Sequence, residues 1–193
     1  MRWLEDTLLP VADETNYWFV DVGANIGLFS LYAATLNPNI SVLAFEPSDE
    51  SFSSLASNIA LNAYSNRIQA VKAPLYDREI AGYFVSIDKR IASSGGQFIA
   101  SDGSQPSARG PKIQLLARTG DAWIQQLEIS SFALKIDVDG LDFAVLRGFQ
   151  SSMESGKLTS VLIESNEAGR GELSRLLRRY GYHESRTYRE HAG

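Results

Sequence analysis

The chain has 193 residues, 44% of them hydrophobic, with 18 Lys and Arg against 23 Asp and Glu for a net charge of −5. That length predicts a single domain, 1–193, with a core of its own, and it excludes disordered and collagen-like architectures. The lack of cysteine excludes disulfides, thiolate metal sites and cysteine nucleophiles and predicts a cytoplasmic protein, while the negative charge argues against nucleic-acid binding and no apolar run approaches the roughly 18 residues of a membrane span.

Residues 1–16 read as an N-terminal extension, because Glu5 and Asp6 interrupt their apolar stretch. The run 17–22 is short, β-rich and followed by glycine, which predicts a buried strand, and 27–36 reads as a helix. The next strand is 41–45. Ser48 then predicts a helix cap, with Phe52, Leu55, Ala56, Ile59 and Ala60 at the spacing of one buried face. Strands are expected at 67–73, 83–87 and 112–117. Between the last two, 93–111 is rich in Ser, Gly, Ala and Pro and reads as a loop, either a variable surface insertion or a mobile lid. A helix at 120–127, a strand at 132–138, a helix at 141–149, a strand at 160–163 and a helix at 171–180 follow, with a last strand expected from Tyr182. The alternation predicts an α/β fold with a mostly parallel sheet and helices on both faces.

The strongest chemical signal is Asp21-Val-Gly23-Ala24-Asn25-Ile-Gly27, at the turn from first strand to first helix. Glycines there let backbone approach a ligand closely. A dinucleotide fingerprint would need a glycine where Asn25 stands, and a carboxylate at Asp21 would repel pyrophosphate but suit an ammonium group. Glu46, followed by Pro47, ends the second strand, where a carboxylate can accept from two vicinal ribose hydroxyls. Together Asp21 and Glu46 describe a nucleoside with a cationic amino-acid tail, which S-adenosylmethionine satisfies.

Lys135-Ile-Asp137-Val-Asp139-Gly140-Leu-Asp142 brings three carboxylates and a lysine to the C-terminal edge of a strand expected to lie beside the first. Asp137 and Asp139 would point the same way if that strand continued. Lys135 could hold an acidic acceptor or pair with these acids. Arg147 and Gly148 stand where a calcium loop needs its last ligand, so no metal site is assigned, although a divalent ion shared with other acids stays open.

With Phe45-Glu46-Pro47, Val145-Leu-Arg-Gly148 and Leu162-Ile-Glu164 added, the chain from about Tyr17 to about Tyr182 resembles the FkbM-type S-adenosylmethionine-dependent methyltransferases. The resemblance implies a Rossmann-like class I methyltransferase fold and methyl transfer to a hydroxyl of a sugar or natural-product-like small molecule. The cofactor-binding residues are then Asp21, Gly23, Ala24, Asn25, Gly27, Glu46 and Pro47, and the catalytic candidates Lys135, Asp137 and Asp139. The family's acidic pair appears as Asp139 and Asp142, each with the shorter side chain. Alternative readings are an inactive cofactor-binding module or partner subunit, and a nicotinamide oxidoreductase. His183 lies apart from every motif, and Trp18 and Trp123 are expected in the core. The arginines from Arg170 to Arg189 form either a solvated helix face or a basic rim for an anionic acceptor.

Overall fold

The computed structural model describes residues 1–11, 14, 16–86, 96–101, 112–164 and 167–185. The chain opens with α1 (Arg2–Leu8) and then alternates strands and helices: β1 (Tyr17–Val22), α2 (Leu28–Leu36), β2 (Ser41–Phe45), α3 (Asp49–Leu61) and β3 (Ile68–Val71). Three strands without helices follow, β4 (Ile80–Ser86), β5 (Gly96–Ala100) and β6 (Lys112–Ala117). The second half is α4 (Gly120–Gln126), β7 (Ser131–Ile136), α5 (Asp142–Arg147), α6 (Gln150–Glu154), β8 (Leu158–Ile163) and α7 (Glu167–Arg179).

Five strands form a parallel sheet in the order β3-β2-β1-β7-β8, and β5-β4-β6 form a small antiparallel sheet. The strand sequence reverses direction across the pair β1 and β7, which makes the gap above their C-terminal ends the crevice where open α/β sheets bind ligands. Alternation along the strands fills both faces. Phe19, Val42 and Ala133 meet Leu4, Leu8, Ala33, Leu55 and Ile59 of α1, α2 and α3, whereas Val20, Leu43 and Leu134 meet Ile124, Val145, Met153 and Leu173 of α4 to α7. This doubly covered, Rossmann-like sheet matches the expected fold class. No helix among the described residues is long and apolar enough to cross a membrane.

Several elements depart from the sequence expectation. The stretch before β1 contains a helix whose Trp3, Leu4 and Leu8 are buried, and Trp3 Nε1 donates to Ser160 Oγ on β8 at 3.1 Å. Part of the expected loop 93–111 is β5, held because Phe98 packs beside Phe84 while Gly96 leaves room for the Phe84 ring; 93–95 and 102–111 lie outside the described residues. Ser48 caps α3 as expected, with its Oγ accepting from Ser51 N, but the buried stripe is Ser51, Leu55 and Ile59, and Ala56 and Ala60 are exposed. The helix expected at 141–149 is interrupted at Gly148, after which α6 forms a separate turn over Met153. No strand follows α7 within 182–185; instead Tyr182 Oη donates to the carbonyl of Leu158 at the start of β8, and 186–193 lie outside the described residues.

Candidate functional site

The β1–α2 turn is built by backbone before any side chain acts. Gly23 N and Ala24 N both donate to Phe45 O at the end of β2 (3.1 and 2.9 Å), and Gly27 N closes the turn onto Ala24 O at 2.8 Å. Gly23, Asn25 and Gly27 all have positive φ (78°, 51° and 93°), a region open to glycine and tolerated by Asn. Asn25 N points sideways to Glu46 Oε2 at 2.9 Å, and Ser48 N donates to Glu46 Oε1 at 2.9 Å. Glu46 is therefore clamped at the rim of the crevice, 7% exposed, with one amide on each oxygen. Burial pushes its carboxyl pKa up, and the two amides pull it back only in part.

Asp21 and Lys135 face each other across the β1–β7 ladder, on the α2 side of the sheet. Both are buried, at 0% and 4% exposure. Asp21 accepts from Ser30 Oγ at 2.7 Å and faces Lys135 Nζ at 3.4 Å; the same Nζ lies 3.1 Å from Asp137 Oδ2, 3.5 Å from Gly23 O and 4.7 Å from the Phe29 ring centroid. Burial opposes the Lys135 charge, but the carboxylates of Asp21 and Asp137 outweigh it and hold its pKa above the ordinary lysine value. Asp21 and Lys135 thus sit beneath the turn, off the cleft wall, and of the two uses the sequence offered for Lys135 the structure displays the pairing with acids.

Beyond Ile136 the β7 chain leaves the sheet. Asp137 N still donates to Val22 O at 3.0 Å, but Val138 N turns to Asp142 Oδ1 at 3.2 Å and Gly140 takes φ 77°. The period of two that would align Asp137 with Asp139 therefore stops one residue too early. Asp142 closes this loop, with its pKa raised mainly by burial. Asp137 is 45% exposed at the side chain and Asp139 is exposed. Burial pushes the Asp137 pKa up, but its hydrogen bond with Glu164 and the Lys135 charge prevail and hold it below the ordinary value. Among the described residues no three His, Asp or Glu converge as a metal site.

These pieces enclose a cleft of about 290 Å³. One side is Gly23, Asn25, Glu46 and Pro47; the opposite side is Asp137, Val138, Asp139 and Leu141; Ala73, Pro74 and Leu75 form the third wall. The small sheet adds Phe84, Gln97 and Phe98, and Gln97 Nε2 reaches Asp139 O at 3.4 Å. That last wall and the Ser30 contact were not picked out from sequence, and Glu164 entered only as part of a family motif; 96–100 carries no periodicity that would announce the wall. His183 is exposed and stands at the other end of the sheet, since its neighbour Tyr182 reaches the start of β8. Arg178 and Arg179 end α7 on that side too, so they form no rim over the cleft. Trp123 is partly buried against Phe45, 5.5 Å between ring centroids, and Trp18 is partly buried with its Nε1 on Asn16 Oδ1.

A family model described as the methyltransferase FkbM domain matches residues 21–184. Methyltransferase 1 of Beauveria bassiana is 28% identical over 153 residues, covering 72% of this chain and 60% of the relative. Hexuronic acid methyltransferase AglP of Haloferax volcanii is 27% identical over 161 residues, covering 82% and 60%. The chain thus spans 60% of the length of each of these curated relatives. In fold it is similar to the methyltransferase FkbM from Methylobacillus flagellatus KT, with TM-score 0.59 and 16% identity over 86% of this chain and 38% of that one. The METTL16 MTase domain gives TM-score 0.57 and 19% identity over 95% and 57%.

Proposed function

The chain belongs to the FkbM methyltransferase family, and from that premise we propose that it is an S-adenosylmethionine-dependent methyltransferase acting on a hydroxyl of a sugar or natural-product-like small molecule. The observation that carries the reading is Glu46. Each of its oxygens already accepts one backbone amide, at 2.9 Å, and has further acceptor capacity, and Glu46 lines the cleft, which suits a pair of vicinal ribose hydroxyls. The turn Gly23 to Gly27, with Ala24 and Asn25, then takes the amino-acid tail, and Pro47 borders the nucleoside. Asp21 contributes from beneath, as a buried negative charge under that turn.

When bound, the cofactor supplies a methyl group on a sulfonium sulfur. The residues of this chain have two tasks: to orient the acceptor hydroxyl and to receive its proton. Asp137 fits both, because its carboxylate lines the cleft and Lys135 holds it ionised from behind. With the cofactor bound, its methyl group would pass to the acceptor oxygen as the carbon–sulfur bond breaks, and Asp137 would take up the hydroxyl proton and release it to solvent. An aspartate with the ordinary pKa of ~3.9 removes an alcohol proton poorly, and Asp137, held below that value, is a weaker base still, so orientation and exclusion of water supply much of the rate. Asp139 is the second acceptor contact, on the loop steadied by Gln97. Phe84 and Phe98 offer an apolar wall suited to the C–H face of a sugar, and the relative named for hexuronic acid supports a sugar acid as acceptor.

Calorimetric titration with S-adenosylhomocysteine and, separately, with NAD tests the cofactor. Heat with the first and none with the second is expected; the reverse would end the reading. A panel of neutral sugars and hexuronic acids, incubated with methyl-labelled cofactor, tests the acceptor class.

A further inference from the structure

Arg78 and Arg147 come together on one carboxylate. Asp77 Oδ1 accepts from Arg78 Nη1 at 2.8 Å, and Asp77 Oδ2 accepts from Arg147 Nη2 at 2.7 Å. Each guanidinium also lies over an aromatic ring, Arg78 at 5.2 Å from the Tyr76 centroid and Arg147 at 5.2 Å from that of Phe143. Both arginine side chains are nevertheless about half exposed, at 53% and 51%. Glu79, the next acid along the chain, is exposed and pairs with neither among the described residues. Two cations are thus held in fixed orientations by one anion and two rings, with one positive charge in excess and several N–H donors left on each fork.

The pair adjoins the cleft. Tyr76 meets Phe98 of the cleft wall edge-on, 6.2 Å between centroids at 64°, and α5, which ends at Arg147, carries Val145 of the lining. The cleft itself has the opposite charge, because the charged groups among the described residues that line it are Glu46, Asp137 and Asp139, all acids. A neutral ring with a hydroxyl suits those walls. An anionic group on the same molecule is repelled by them and has to lie beyond, where a cation can meet it.

We propose that Arg78 and Arg147 form an oxyanion subsite beside the cleft, which takes a carboxylate or phosphate group of the acceptor while the hydroxyl to be methylated lies at Asp137. The inference rests on the methyltransferase reading of the cleft and narrows its acceptor to an acidic one. A guanidinium presents a planar fork that matches either oxyanion, and the stacking on Tyr76 and Phe143 removes side-chain freedom that binding would otherwise have to remove.

The test is ¹H–¹⁵N NMR of the full chain at constant ionic strength, following the Nε–H signals of Arg78 and Arg147, each identified by its loss in Arg78→Gln or Arg147→Gln. Galacturonate, glucose phosphorylated at its primary hydroxyl, glucose itself and inorganic phosphate are added to separate samples. Both arginine signals should shift saturably with a sugar oxyanion, together with the backbone amides of Gln97 and Phe98, and glucose should leave the arginines unmoved. The sugar oxyanion that saturates at lower concentration identifies the group as carboxylate or phosphate. Either single variant should weaken that binding by about tenfold, the loss expected for a charge-assisted hydrogen bond. Arginine signals that move with no probe, that move only with inorganic phosphate, or that move no more than the signal of Arg179 on α7 would overturn the proposal. Titration with S-adenosylhomocysteine reads the cofactor assignment separately, so a missing binding heat would strike the methyltransferase reading while the arginine shifts decide the subsite by themselves.

Discussion

A Cβ placed on Gly23 would lie 1.9 Å from the carbonyl oxygen of Asp137. The glycine turn and the acidic loop are thus in backbone contact, and the lack of a side chain at Gly23 is what lets the two sides of the cleft close on each other. The clash adds to a left-handed φ of 78°, which by itself costs an L-residue roughly 1 to 2 kcal/mol. Gly156 has a similar φ, 73°, but open space around its missing Cβ. We expect Gly156→Ala to show the backbone cost alone. Gly23→Ala should lower Tm further, beyond the ~2 to 4 °C per kcal/mol typical of this chain length, and abolish S-adenosylhomocysteine binding. Equal Tm shifts in the two variants, by calorimetry, would mean that the approach of Asp137 is not tight.

Glu46 predicts a pH dependence of cofactor binding. Its raised pKa means that the unliganded fold gains stability from Glu46 below the unfolded value of ~4.3, and loses that contribution as pH rises through the folded value. Ribose hydroxyls need the ionised form as acceptor. Affinity for S-adenosylhomocysteine should therefore climb as pH rises through the Glu46 pKa and then level off. Glu46→Gln should flatten that climb, and Glu46→Ala should weaken binding by about 1 to 3 kcal/mol at pH 8. Parallel pH profiles for wild type and Glu46→Gln would remove Glu46 from the cofactor contact.

Lys135 predicts a stability effect larger than any surface substitution. Removing it leaves Asp21 buried at 0% exposure without its cation, a loss of the kind that costs about 3 to 5 kcal/mol. Lys135→Met should therefore lower the urea midpoint strongly, and Asp21→Asn with Lys135→Met should recover part of the loss because the two effects couple. The stabilisation from Lys135 is complete below its unfolded pKa of ~10.4 and disappears as pH rises through the higher folded value. The Asp137 contribution is complete above ~3.9 and disappears as pH falls through the lower folded value. The difference between wild type and Lys135→Met should accordingly be flat across neutral pH. A difference that appears only in acid would point to another pair.

The parallel core was legible because its signals are local. Each of Tyr17–Val22, Ser41–Phe45 and Ser131–Ile136 is a short apolar run ended by glycine, proline or acids, and burial on both faces asks no more of a central strand. The ends of elements were less legible. Nothing in Ile136-Asp137-Val138 announces that Val138 N will abandon the ladder for Asp142, so Asp139 was aligned with Asp137 by a period that had already stopped. The seven residues of α1 are too few to display a helical face, and Trp3 is understood only once Phe19 and Ser160 lie beside it. In the site, Glu46 could be placed from its strand alone, but the partner of Asp21 could not. Lys135 comes from a strand more than a hundred residues away, and the register of β1 on β7 decides whether it rises into the cleft or sinks beneath the turn.

The placement of chemistry at the β7 end gives the most direct functional prediction. Asp137 lines the cleft at the C-terminal edge of the sheet, Asp139 follows it on the same wall, and His183 is exposed beyond α7, near the opposite edge. Asp137→Asn preserves shape and removes the charge that, in the proposed reaction, receives the proton. With an acceptor from the sugar panel, its turnover should fall at least tenfold, roughly 1.4 kcal/mol of transition-state stabilisation, while S-adenosylhomocysteine affinity barely changes. Asp139→Asn should raise KM more than it lowers kcat, since in the proposed reading this exposed carboxylate holds the acceptor. His183→Ala should alter neither. Addition of EDTA to the same assay reads whether these carboxylates act through a bound ion, in which case activity should return with Mg²⁺. An inactive His183→Ala beside a fully active Asp137→Asn would move the chemistry off this edge of the sheet altogether.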